Sequence, residues 1–248
     1  MRILIVNPNT SASMTDRLRR ELEAVKGRDT ELTVTNPSQG PAAIESAEDE
    51  ALAIPPMLEL IRDAAPRHDA VVIACFSDPG LSEAREIAPI PVVGLEESSL
   101  HLAAQLGRRF TILTSRGARV PAKVDHVARL GLSSRLASVR PLEMGVLEMD
   151  ADPDRAAARI LEVGGAAVRE DGADVIVLGC AGLAGHAAAL GPALGVAVVD
   201  PSPVALATAE MIVRLRLASG AAARDRRAPV SPSPVPPSSP RQWPGTPA

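Results

Sequence analysis

Aromatic residues are almost missing from this chain: two Phe, one Trp and no Tyr stand among 248 residues. Stacking platforms for bases or sugars are therefore not expected. A net charge of −4 offers no general attraction to nucleic acid or to an anionic membrane surface, so neither is expected as a partner and a small molecule is. Cofactor cradles are lacking too. No Gly-x-Gly-x-x-Gly follows the first apolar run and no Walker loop occurs, which leaves a nucleotide without its usual seat. His68, His101, His126 and His186 are widely spaced, without a Cys-x-x-Cys or His-x-x-x-His pair to hold zinc. Each reads as a surface residue or helix cap, and no metal or cofactor is expected.

Long apolar runs are equally scarce. Only four apolar residues separate Arg2 from Asn7-Pro8, too few for the core of a secretion signal. Residues 175–199 carry no Asp, Glu, Lys or Arg, but Gly179, Gly182, Gly185, Gly191, Gly195 and Pro192 interrupt them. That stretch reads as strand, turn, helix, strand rather than as a membrane span. A cytoplasmic location with reduced thiols is the expectation.

What is present is an α/β alternation with 46% hydrophobic residues, enough to bury one or two full cores. Strands are expected at residues 2–6, 32–35, 70–74, 91–95, 110–113, 138–141, 175–178 and 196–199. Helices fall between them, notably at 51–65 and 152–169, and Ser13 with Asp16 three residues on reads as a helix start. Such alternation argues for parallel sheets with right-handed crossovers and a ligand site at the carboxyl ends of the strands.

The only two cysteines stand 105 residues apart at matching points of a repeated unit. Asp69-Ala-Val-Val-Ile-Ala-Cys75 and Asp174-Val-Ile-Val-Leu-Gly-Cys180 share their spacing, and Arg2-Ile-Leu-Ile-Val faces Arg109-Phe-Thr-Ile-Leu at a similar shift. Duplication predicts two pseudo-symmetric doubly wound lobes, each ending a strand on a thiol: residues 1–95, completed by 200–217, and residues 96–199. If the lobes face each other, Cys75 and Cys180 approach one substrate from opposite sides, which is what inverting a carbon stereocentre requires. Backbone amides at such strand ends are expected to stabilise thiolate and to lower both thiol pKa values. Asn7-Pro-Asn-Thr-Ser11 and Thr114-Ser115 end the first strands of the two units and belong at the same edge, though their residue types also suit caps and turns. Residues 221–248 differ from the rest. Eight Pro, four Ser and four Arg mark residues 218–248 as a disordered tail.

Asn7-Pro-Asn-Thr-Ser11, Gly40-Pro-Ala-Ala-Ile-Glu45, Ala74-Cys-Phe-Ser-Asp-Pro-Gly-Leu81, Val120-Pro121 and Leu178-Gly-Cys-Ala-Gly-Leu183 together resemble the hydantoin racemases of the aspartate/glutamate racemase superfamily, which includes allantoin racemases. The resemblance spans about residues 1–217. It implies a cofactor-independent enzyme, proton transfer by Cys75 and Cys180 at the α-carbon of a 5-substituted hydantoin or of allantoin, and assembly as a homo-oligomer. It also implies substrate contacts from Asn7, Phe76, Ser77, Thr114, Ser115, Ala181 and Gly182. Amino-acid racemases of that superfamily usually carry an acidic residue near the first strand and a Thr, often with His, after the second Cys. Asn7 and Ala181-Gly182 stand there instead, which points away from free amino acids. Chemistry on a carboxylate substrate, as in amino-acid racemases or arylmalonate decarboxylases, is the alternative within enzymes. A two-lobed small-molecule binding protein without catalysis is the alternative outside them.

Overall fold

β1 (Arg2–Val6) is an unbroken apolar run whose residues from Ile3 to Val6 are all fully buried, as befits a central strand covered on both faces. In this computed structural model, which describes residues 1–180 and 187–218, β1 pairs in parallel with β2 (Glu31–Thr35) and β3 (Ala70–Ile73), and β3 with β4 (Val92–Gly94). The sheet order is β2-β1-β3-β4. The second half repeats it with β5 (Phe110–Thr114), β6 (Leu136–Pro141), β7 (Val175–Leu178) and β8 (Ala197–Val199), again all parallel and in the order β6-β5-β7-β8. Ala181, Gly182 and His186 lie outside the described residues, as does the tail from residue 219 onward.

The duplicated aspartates explain part of the repeat. Asp69 Oδ2 accepts the Arg2 N–H at 2.6 Å, and Asp174 Oδ2 accepts the Arg108 and Arg109 N–H groups at 2.9 and 3.2 Å. Both aspartates therefore tie the start of the third strand of a sheet to the start of the first, at the end opposite the cysteines.

Helices cover both faces of each sheet. α1 (Ala12–Val25) and α9 (Pro201–Arg214) bury Leu18, Leu22, Ala205, Leu206 and Ala209 against Ile3, Ile5 and Val72, while Met57 and Ile61 of α2 (Ala47–Ala64) and Leu81 and Ala84 of α3 (Leu81–Ile87) pack on Leu4, Val71 and Ile73. In the second sheet α6 (Val146–Ala151) and α7 (Pro153–Asp171) bury Val146, Met149, Ile160, Val163 and Ala167 in one cluster with Leu113, Ile176 and Leu178. Leu100 and Ala103 of α4 (Leu95–Leu106) and Val127 of α5 (Val120–Arg129) cover Phe110, Ile112, Val175 and Val177. Each fully buried Ile or Leu contributes roughly 1.5–3 kcal/mol. α9, the last helix among the described residues, thus covers the first sheet, and α4, which follows the first sheet, covers the second. Glu210 of α9 secures the former by accepting from Gly27 N and Thr30 Oγ1 at 2.8 and 2.6 Å.

Helix starts depart from expectation where capping chemistry decides them. Ser11, not Ser13, caps α1: its hydroxyl accepts the Met14 N–H at 3.3 Å, and Ser13 bonds only Ser11 Oγ. α2 begins at Ala47 rather than residue 51, because Ser46 and Asp49 form a reciprocal capping box that extends the helix backwards. The Ser46 hydroxyl and the neighbouring N–H groups also hold Asp49 below the usual carboxylate range. Among the described residues no helix is long and apolar enough to cross a membrane. The uncharged stretch from residue 175 contains β7, α8 (Ala187–Leu194) and β8.

Candidate active site

In each sheet the chain leaves the first strand for one edge and returns to pair on its other side, so a crevice opens beyond the carboxyl ends of β1 and β3, and of β5 and β7. Asn7 follows β1 and Ala74-Cys75 follows β3; Thr114-Ser115 closes β5 and Gly179-Cys180 follows β7. The two crevices form one cleft. It is lined by Asn7, Asn9, Cys75, Phe76, Ser77, Thr114, Ser115 and Cys180, so all expected site residues that the structure describes meet there. Met14, Ile44 and Val146 add apolar wall, and Arg119 and Lys123 add charge. Neither cysteine is in a disulfide.

Close backbone approach delivers both thiols. The Ala74 N–H donates to the Val6 carbonyl and the Gly179 N–H to the Leu113 carbonyl, each at 2.8 Å. A Cβ at Gly179 would stand 2.5 Å from the Leu113 carbonyl oxygen, so only glycine fits there. Cys75 is half-buried and its sulfur lies 3.5 Å from Ser77 Oγ. The expected lowering of its pKa is reversed: burial pushes the Cys75 thiol up, and the Ser77 hydroxyl and the Lys123 charge only oppose that rise. No helix begins directly at this thiol to offset the desolvation, since α3 starts at Leu81.

The polar loops divide their labour. Asn7 is largely committed to its own loop: Nδ2 donates to Asn9 Oδ1 at 2.8 Å and Thr15 Oγ1 at 3.0 Å, and Oδ1 accepts from Asn9 N at 3.3 Å. Asn9 Oδ1 also accepts the Ser11 N–H, while its amide nitrogen donates to the Met14 sulfur at 3.6 Å. A thioether is a weak acceptor. Asn9, quoted in the loop motif but not singled out, is therefore the better placed of the two to give N–H donors to a ligand.

The sequence also hid the charged wall. Arg119 pairs with Glu50 of α2, and buried Lys123 pairs with Glu96 at 2.8 Å. Lys123 and Val127 share the buried face of α5, so a lysine at apolar helical spacing was the available signal. His126 is no surface residue either: its Nδ1 bonds Glu96 Oε2 at 2.7 Å, and that bond holds its pKa above the ordinary value. Asp78 completes the Cys75 loop. Its carboxylate accepts the N–H groups of Glu96 and Glu97 at 3.0 and 2.8 Å at the start of α4, in left-handed backbone (φ 47°), while burial, against those hydrogen bonds, raises its pKa to about 7. Gly94 makes this possible, since a Cβ there would lie 2.4 Å from the Asp78 carboxyl. Among the described residues no three His, Cys, Asp or Glu side chains cluster as metal ligands do.

Two parallel-sheet lobes with a polar cleft between matching strand ends define a class: two-lobed α/β proteins that hold a small molecule between duplicated halves. The sequence comparisons narrow it. The family profile described as Asp/Glu/Hydantoin racemase matches residues 3–209, and the chain belongs to that family. It is 40% identical over 216 residues to the hydantoin racemase of Pseudomonas sp. (strain NS671), covering 87% of each chain. To the hydantoin racemase of Rhizobium meliloti it is 40% identical over 214 residues, 86% of this chain and 89% of the other. The crystal structure of allantoin racemase from Pseudomonas fluorescens superposes with a TM-score of 0.85 at 35% identity, over 88% of this chain and 93% of that one.

Proposed function

We infer that this protein is a cofactor-independent racemase of cyclic ureides, a 5-substituted hydantoin or allantoin, with Cys75 and Cys180 as the proton-transfer pair. The observation that carries this reading is that both thiols, at equivalent strand ends of duplicated sheets, line one cleft. One cysteine as thiolate takes the ring α-proton, and the electron pair moves into the adjacent carbonyl to give an enolate held by N–H and O–H donors such as Asn9, Ser77, Thr114 and Ser115. The other cysteine, as thiol, returns a proton to the opposite face. Charges then stand exchanged between the two sulfurs, so the reverse reaction runs through the same site with roles swapped. A buried thiol whose pKa lies above the ordinary value suits the donor role at neutral pH, which fits Cys75 best in the direction where it gives up its proton.

The cleft wall also bears on substrate class. Both of its cations are committed, Arg119 to Glu50 and Lys123 to Glu96. An α-carboxylate would have to compete with those partners, whereas a neutral ureide ring needs only hydrogen bonds. This favours the ureide over the amino-acid or arylmalonate alternative, and the cysteine pair favours an enzyme over a binding module. The same reading places the protein in the cytoplasm as a homo-oligomer, with lobes at residues 1–95 plus 200–217 and at 96–199. Optically pure allantoin, 5-benzylhydantoin and glutamate, each incubated with the protein in D2O, supply the test. Loss of optical rotation with deuterium uptake is expected for one or both ureides and not for glutamate. Exchange of glutamate alone would overturn the assignment.

A further inference from the structure

Three ionisable groups that this proton-transfer scheme leaves unused, buried Glu96 and Lys123 and half-buried His126, meet beside the Cys75 loop. Glu96, in the first turn of α4, is fully buried, and its Oε2 accepts from both Lys123 Nζ and His126 Nδ1. Its Oε1 is buried without a hydrogen-bond partner. Lys123, on α5, is almost as deep. Besides Glu96 it donates to the Phe76 carbonyl oxygen, and its Nζ lies 4.8 Å from the centroid of the Phe76 ring. Phe76 is the residue after Cys75. The loop that carries the first thiol is thus gripped at its backbone, by cation–π contact at its ring, and two residues on by Asp78 at the start of α4.

Packing alone does not call for this arrangement. Burying an ammonium with a carboxylate carries a desolvation penalty, and apolar residues of similar volume hold such contacts as well or better. An apolar pair would supply neither a donor for the Phe76 carbonyl nor a positive charge near the thiol. The charged groups that face Cys75 are few. Lys123 comes from α5; Glu50 comes from α2 and is engaged by Arg119; Cys180 lies in the same cleft. Lys123 bonds the residue next to Cys75 directly, whereas the Glu96 carboxylate bonds Lys123 and His126.

We propose that Lys123 is a positioning residue for Cys75: anchored on Glu96, it clamps the Phe76 carbonyl, locks the loop bearing the first thiol against the second lobe, and keeps a positive charge beside that sulfur. The proposal rests on the assignment of Cys75 as a proton-transfer group. It explains how a desolvated thiol remains able to ionise, since the thiolate forms next to an ammonium already in place. It also explains why the carboxylate is needed, because Glu96 holds the buried Lys123 side chain in an ion pair and aims it at the loop.

The test is the pH dependence of iodoacetamide alkylation at Cys75 and Cys180, read separately by mass spectrometry on the intact full-length protein. In Lys123→Met the Cys75 profile is expected to move to higher pH by about one unit, roughly tenfold slower alkylation at pH 8, while Cys180 keeps its profile. Lys123→Arg, which preserves charge and donors, should bring the Cys75 profile back toward that of the parent protein. The double variant Lys123→Met/Glu96→Gln removes both buried charges and is read wherever the single one does not fold; the same shift is expected. An unmoved Cys75 profile in either folded variant, or an equal shift at both cysteines, overturns the proposal. Because alkylation does not depend on turnover, failure of the racemase assignment shows itself separately, as absent deuterium uptake by the parent protein with every ureide.

Discussion

Cys75 and Cys180 occupy the same place in two sheets of identical strand order, yet the chain delivers them differently. Before Cys75 stands Ala74, whose methyl group is accommodated; before Cys180 stands Gly179, where any side chain would strike the Leu113 carbonyl. After Cys75 the loop is nailed down by Ser77, by Asp78 on the α4 N-terminus and by Lys123 on Phe76. The facing loops differ as well. Asn7 and Asn9 bond each other and the start of α1, whereas the carbonyls of Thr114 and Ser115 accept N–H groups from Leu142 and Met144. Symmetry of topology brings two thiols to one cleft, and local asymmetry gives each its own environment.

The largest expected effect comes from breaking the pair. Cys75→Ala and Cys180→Ala should each lose racemisation by about 10³-fold or more, the upper range for removing an acid/base group. Each variant should still exchange the α-proton of one enantiomer in D2O, and the two should prefer opposite enantiomers. The same preference in both would mean that the thiols do not serve opposite faces.

Substitutions just before the thiols probe the asymmetry itself. Gly179→Ala should displace Cys180 and lower turnover about 10²-fold, the scale of a misplacement near 1 Å. Ala74→Gly should lower stability by only about 1 kcal/mol, with activity nearly kept. Equal losses of activity in a chiral assay would show that the close approach at Leu113 has no special role.

Gly94→Ala sharpens the contrast on the Cys75 side. Driving the Asp78 carboxyl off the first turn of α4 removes a helix cap and should lower unfolding free energy in urea by about 1–2 kcal/mol. An unchanged midpoint would show that the cap contributes nothing.

The smallest effect expected is with pH. His126 in the fold holds its proton above the ordinary histidine value because of Glu96, and burial raises Asp78 from 3.8 to about 7. For both groups the folded state binds the proton more strongly, so stability falls as pH rises. The His126 contribution is complete below about pH 6.5 and is lost as pH climbs through the raised value; that of Asp78 declines between 3.8 and about 7. Tm should therefore be lower at pH 8 than at pH 6, and His126→Gln should flatten the slope. A Tm that rises over this interval would contradict the arrangement around Glu96.

Strand positions were legible because fully buried parallel strands are written as short β-branched runs, and residues 2–6 and 175–178 coincide with β1 and β7. The repeat of Asp, five residues and Cys was legible for the same reason: it marks both ends of one strand type, with the aspartate tying the starts and the cysteine reaching the cleft. Capping was harder to place, since Ser11 and Ser13 are equivalent as letters and only the backbone at Ser11 turns its hydroxyl onto the Met14 N–H.

By itself the sequence determined the α/β alternation, the duplicated halves and the two thiols at matching strand ends, because periodicity and spacing are local properties of the chain; membership of the racemase family rests instead on likeness to known sequences. Tertiary structure alone decided which groups surround each thiol. Phe76, Glu96 and Lys123 are far apart in the chain and come together only where α4 and α5 pack beside the Cys75 loop. Burial there, which no local pattern records, turned the expected fall in the Cys75 pKa into a rise and moved His126 from the surface into a buried charge network. Desolvation depends on everything packed around a group, and that is settled only when the whole chain has folded.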